Sequence, residues 1–196
     1  MILAPWGHGY EMDVQSVPDL LTVSEFNTMT GNRYAGQDVQ SQINAAQDAI
    51  RDYCGWHIAT NLKCTYTDDS LPRKRLIQLP ALMVTGIESA TVDGREVSFR
   101  FKPNGLVRLD IPTYWDEWNA IEITYNAGFT EVPAVIKDII AHRAEHALAV
   151  PAGVQSETAG GVSISYAASW TSNNRATNLP ADNLVRLNPY KVRRVL

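Results

Sequence analysis

The sequence predicts an α+β chain: a small helical bundle of two long helices plus short flanking helices, with an inserted β-rich subdomain. Three observations carry that prediction. Apolar residues recur at spacings of three and four in two separate stretches, about 37–53 and about 133–150, the period of a half-buried helix. Between them the period falls to two, as in Leu62, Cys64 and Tyr66 and again in Ile121, Ile123 and Tyr125. Within that middle part lies Asp93-Gly94, a strong hairpin signal because a two-residue type I′ turn needs positive φ at both positions.

Taken in order, residues 1–18 mix Pro5, Gly7 and Gly9 with scattered aromatics and show no period, which reads as an extended N-terminal arm ordered on a neighbour. Residues 19–60 form the first helical part. Thr22 and Glu25 match a capping box, so a short helix follows and ends near Gly31. Val39, Ile43, Ala46, Ile50 and Tyr53 make the stripe of the first long helix, with Gly55 placed as its left-handed cap. Residues 61–129 are the β-rich insertion, with turns at Asp93-Gly94 and Asn104-Gly105. Pro133 opens the second long helix, and residues 130–151 complete the helical part before Pro151 stops it. Residues 152–196 read as an irregular segment in which Gly160-Gly161 precedes the alternating Val162, Ile164 and Tyr166. Asp182 is the expected cap of a short last helix, and Lys191, Arg193 and Arg194 form a basic tail.

Composition narrows the function classes. With 45% hydrophobic and 19% charged residues over 196 positions, the chain can bury a core and is not expected to be disordered. A formal charge of −4 argues against a surface built throughout to neutralise phosphates. The opening ten residues lack a basic lead and break at Pro5, so a signal peptide is not expected, and no apolar run reaches bilayer length. Two cysteines, Cys54 and Cys64, are too few for a disulfide framework.

Two clusters invite chemistry. His142-Arg143-Ala144-Glu145-His146 fits H-x-x-E-H, a helical zinc-peptidase pattern. A catalytic zinc needs a third protein ligand, yet after His146 the only acidic side chains are Glu157 and Asp182, and Glu157 sits in a Gly-rich stretch. On the helical wheel Ile136, Ile139, Ile140, Ala147 and Val150 share an arc with Arg143 near its centre and both histidines on its edge, which suits a flank facing another subunit. Cys54, His57 and Cys64 form the second cluster, short of a fourth ligand. Phosphate-binding, nucleophile-elbow and dinucleotide motifs are absent from the sequence. No catalytic residue, metal site or cofactor is expected.

One pair of segments is more specific than spacing explains. Asp19-Leu20-Leu21-Thr22-Val23-Ser24-Glu25-Phe26, and above all Ala49-Ile50-Arg51-Asp52-Tyr53-Cys54-Gly55-Trp56-His57-Ile58, resemble the head-to-tail connector family of tailed bacteriophages, also called adaptor or head-completion proteins. Leu79-Pro80, Val92-Asp93-Gly94, the stretch from Ile123 to Phe129, that from Val132 to Ile140 and that from Ser156 to Tyr166 follow in the same order. The resemblance implies a connector bundle that assembles as a ring, commonly of twelve copies, beneath the portal of a filled head. It implies a virion protein of the neck that extends the DNA channel, lets DNA pass without sequence-specific binding, and meets a stopper or tail-side protein. The expected subunit-interface residues are Arg143, Ile139 and His146, and the expected portal contacts are Lys191, Arg193 and Arg194. The alternatives are another neck component, a stopper or tail-terminator, or a zinc metallopeptidase using the H-x-x-E-H helix.

Overall fold

Helix signals and strand signals separate cleanly along the chain, and the fold follows them. The computed structural model describes residues 1–6, 9–113, 117–149, 156–159, 162–165 and 179–192. The chain is α+β and divides into two units, one of Asp19–Tyr53 and Val132–Pro189, the other of Met1–Pro18, Cys54–Glu131 and Tyr190–Leu196.

In the helical unit the capping box forms as expected. Thr22 Oγ1 accepts from Glu25 N at 3.2 Å while Glu25 Oε2 accepts from Thr22 N at 2.9 Å, so orphan amides at the helix start are satisfied. Helix α1 (Val23–Thr30) runs from there to Gly31, whose φ of 64° makes the left-handed cap. Helix α2 (Val39–Cys54) begins with Asp38 Oδ1 accepting from Ser41 N at 3.2 Å and buries Val39, Ile43, Ala46 and Ile50 of the expected stripe, whose last member, Tyr53, is half-buried. Gln47 on the same helix is buried because it has a task. Its Oε1 accepts from Leu20 N and Leu21 N, and its Nε2 donates to Asp19 Oδ1 at 3.1 Å, which pins the chain leading into α1. Helix α3 (Ala134–Ala149) follows Pro133 and buries Ile136, Ile139, Ile140, Ala141 and Ala144. Each isoleucine so removed from water stabilises the unit by about 1.5–3 kcal/mol. Helix α4 (Ala181–Leu187) departs from expectation at its start. Pro180 holds the cap position with no side-chain bond, and Asp182 lies in the first turn, where its charge favours the helix dipole instead. Ser156–Ala159 pairs antiparallel with Val162–Ser165.

The second unit is built on two antiparallel sheets. Strands β1 (Ile2–Leu3), β2 (Glu11–Met12), β3 (Leu62–Ser70), β4 (Leu76–Gln78), β5 (Val84–Val92), β6 (Arg95–Glu96), β7 (Phe99–Phe101), β8 (Leu106–Leu109) and β9 (Glu117–Ala127) occur in that order. They form a six-stranded sheet, β1-β2-β3-β9-β5-β6, and a three-stranded sheet, β4-β8-β7. Strand β9 is central, and its alternation places Ile121, Ile123, Tyr125 and Ala127 in the core. The turn between β5 and β6 has φ of 52° at Asp93 and 71° at Gly94, as the dipeptide required. Gly128, at φ 129°, is needed for a different reason: a Cβ there would collide with the Thr60 carbonyl oxygen.

Residues 1–18 differ from the expected arm. Strand β2 pairs with β3, Met12 opposite Cys64, and Trp6, Tyr10 and Met12 are buried. Two strands of two residues each are too short to show a period, so the sequence pattern concealed them.

Candidate functional site

The end of the segment that carried the family resemblance, from Cys54 to Ile58, is the knot of the sheet unit. Trp56, His57, Ile58 and Ala59 are fully buried. His57 N donates to Tyr10 Oη at 2.8 Å, and His57 Nε2 lies 2.8 Å from the Ala127 carbonyl. A carbonyl only accepts, so Nε2 carries the proton and Nδ1 accepts from the Tyr10 hydroxyl at 3.1 Å. Trp56 Nε1 donates to Tyr190 O at 2.7 Å, Val192 N donates to Cys54 O at 2.9 Å, and the Phe129 ring sits against both Trp56 and Tyr190. Both ring nitrogens of His57 are therefore occupied by structural bonds. Burial pushes the thiols of Cys54 and Cys64 up to about 12, far from a reactive thiolate.

The H-x-x-E-H helix is α3, and its side chains are engaged elsewhere. His142 is exposed with Nε2 3.3 Å from Asp138 Oδ1, while the other oxygen of that carboxylate accepts from Arg186 Nη2 at 2.6 Å. Glu145 accepts from Arg33 Nη1 at 3.1 Å and from the Tyr34 hydroxyl at 3.2 Å. Glu157 lies on a strand, in register with Ile164. No group of three His, Cys, Asp or Glu able to hold a metal occurs among the described residues.

The interface residues expected on α3 separate by burial. Ile139 is fully inside the chain's own helical core and has no side-chain surface left for a neighbour. Arg143 and His146 are half-buried, and desolvation lowers the pKa of each. Of the expected portal contacts, Lys191 is exposed beside the buried Val192, whereas Arg193 and Arg194 lie outside the described residues.

Surface features the sequence did not disclose lie on the sheet unit. A hollow of about 200 Å³ is lined by Val92, Asp93, Arg95, Val97, Ile111, Pro112 and Thr113. Ile111 beside it is 54% exposed and Trp118 on β9 is 84% exposed. The Thr113 hydroxyl donates to Leu71 O, so the hollow offers apolar surface and no prepared nucleophile. Alternation in β9 marks Trp118 as outward-facing once the strand's start is known, but that start follows a stretch with no clear period.

The model of the head completion protein family matches residues 19–190. This chain belongs to that family. The match begins after β1 and β2 and stops before Lys191. No curated protein matches the chain. Among solved structures, a chain in the virion of a native gene transfer agent (GTA) particle superposes with TM-score 0.62 at 16% identity, covering 95% of this chain and 97% of that one. A chain in the neck of an empty GTA particle computed with C6 symmetry gives 0.58 at 17% identity with the same coverage. One in the neck of a native GTA particle computed with C12 symmetry gives 0.55 at 13%, again over 95% and 97%. Likeness at such low identity shows a shared fold. The resemblance carried above all by Ala49 to Ile58 is thus confirmed, and the part of that segment from Cys54 to Ile58 is structural: it ties together the N-terminal, central and C-terminal stretches of the sheet unit.

Proposed function

We propose that this head completion protein is a structural, non-enzymatic component of a phage-type neck. Copies close into a ring beneath the portal, prolong the DNA channel, and join the DNA-filled head to a stopper or tail-side protein in the virion, after assembly in the host cytoplasm. The family match over residues 19–190 is the observation that carries this reading. Support for a ring comes from the C6 and C12 symmetries of the GTA necks whose chains share the fold, and twelve copies fit both. In the ring, the helical part serves as the connector bundle, with Arg143 and His146 of α3 on a subunit flank. Lys191, Arg193 and Arg194 dock on the portal. The net charge of −4 supports a lumen that DNA crosses without sequence-specific binding.

The test mixes purified chain with tail-less, DNA-filled heads and images the vertex by electron microscopy. A ring at the portal is expected. Binding to free tails instead would identify a stopper or tail-terminator and overturn the reading. The tail assignment has its own test. Val192 is buried and its N–H is bonded to Cys54 O, so the truncation must spare it. Removing residues 193–196 should leave a folded chain with much weakened head binding, and undiminished binding would sink the portal assignment.

A further inference from the structure

The three-stranded sheet puts like charges side by side on its outward face. Arg100 on β7 lies directly opposite Arg108 on β8, and Leu76 on β4 lies opposite Arg108 from the other side. Inward-facing Ile77, Val107 and Leu109 alternate with these, so the row Arg100, Arg108, Leu76 points to solvent; Leu76 is 52% exposed. Like charges directly opposite on a sheet are destabilising. Among the described residues only Asp110 relieves the pair, 3.4 Å from Arg100 Nε, and Arg108 has no ion-pair partner.

A second like-charge pair, of opposite sign, lies on α2. Asp48 and Asp52 are one helical turn apart and both exposed. The only cation on this helix, Arg51, has its side chain buried, with Nη1 4.0 Å from Asp48 Oδ1. Burial first, and the charge of Asp48 second, push the Asp52 carboxyl up, as a like charge one helical turn away should. The spacings also match. Side chains opposite on a sheet sit about 4.5–5.5 Å apart and those one helical turn apart about 5–6 Å, so two guanidinium groups can meet two carboxylates one to one.

We infer that the Arg100–Arg108 face of one copy docks on the Asp48–Asp52 face of the next copy. The contact joins two different surfaces of the same chain, the heterologous geometry that makes a ring when its rotation closes. This rests on the ring reading above and names the surfaces that make it. Each pair removes the repulsion the other carries, and the planar guanidinium groups provide fork-like donors for the carboxylates.

Tethering tests the contact whether or not the free chain assembles. Full-length Arg108→Cys and Asp52→Cys chains are mixed at low salt with a short bis-maleimide linker, to which the buried Cys54 and Cys64 contribute little. The mixed adduct should exceed either homodimer by about threefold, the ratio that the one ion pair left in these chains, Arg100 with Asp48, supplies. Raising the salt to about 0.5 M, or adding Arg100→Glu to the first chain, should remove the excess. Electron microscopy of portal-bearing heads provides the second reading: Arg100→Glu/Arg108→Glu and Asp48→Arg/Asp52→Arg chains should each fail to form rings and should form them when mixed. A statistical adduct distribution alongside normal rings from each variant overturns this pairing alone. Absence of any ring with wild-type chain overturns the ring reading too. Retention of duplex DNA that is lost in Arg100→Glu/Arg108→Glu would assign the face to nucleic acid and refute the pairing.

Discussion

Removing the charge of Glu25 should make the helical unit lose a measurable, pH-dependent share of its stability. Glu25 Oε1 accepts from Lys137 Nζ at 2.5 Å, joining α1 to α3, while Oε2 accepts from Thr22 N and Thr22 Oγ1, each at 2.9 Å. The Lys137 bond first, then the Thr22 bonds, lower its pKa from 4.5 to about 2. At face value such a shift is about 3.4 kcal/mol. The side chains of Glu25 and Lys137 are 42% and 31% exposed, so solvent screening reduces the figure to about 1–1.5 kcal/mol. Because the folded pKa is depressed, the contribution is fully present above the unfolded value near 4.5 and is lost as pH falls through about 2. Urea unfolding of wild type and Glu25→Gln should therefore differ by about 1–1.5 kcal/mol at about pH 7, with the gap closing between about pH 4.5 and 2. A gap that stays constant across that range would refute the ion-pair account and leave only a packing effect.

Other perturbations separate further parts of the fold. Gln47→Leu strands the amides of Leu20 and Leu21 and should cost about 2–4 kcal/mol in urea unfolding, although the side chain keeps its volume. Gly128→Ala forces a Cβ against the Thr60 carbonyl at positive φ and should cost more than about 3 kcal/mol, while Gly94→Ala, with open space around it, should cost about 1 kcal/mol; thermal melts compare the two. Tyr10→Phe removes the donor to His57 Nδ1 and the acceptor of His57 N, which should cost about 1–3 kcal/mol and shift the imidazole resonances in NMR spectra.

Much of the helical unit was legible because its signals are local. The capping box at Thr22, the left-handed caps at Gly31 and Gly55, and the stripe from Val39 to Ile50 each depend on residues within about one or two helical turns. The turn at Asp93-Gly94 was legible for the same reason. The start of α4 differs from the sequence expectation because Asp182 is a good cap by type, yet the cap position falls two residues earlier, at Pro180. The exposure of the residues on that arc of α3 was legible only in part. The wheel placed Ile139 and Arg143 on one arc, but burial assigns Ile139 to the chain's own core and leaves Arg143 and His146 partly accessible.

By itself the sequence determined the α+β class, the change of period between helical and strand-like stretches, and the family. All of these are encoded in short-range spacing or in contiguous motifs. Tertiary structure alone decided that Ile2–Leu3 and Glu11–Met12 join the sheet, that His57 is a bonded core residue linking Tyr10 to Ala127, and that Arg100 stands opposite Arg108. Those facts depend on register between strands distant in the chain, and a slip of one residue would turn every side chain on a strand to the other face. A single sequence carries the alternation but not the pairing, so the face on which charges meet is decided only when the sheet closes.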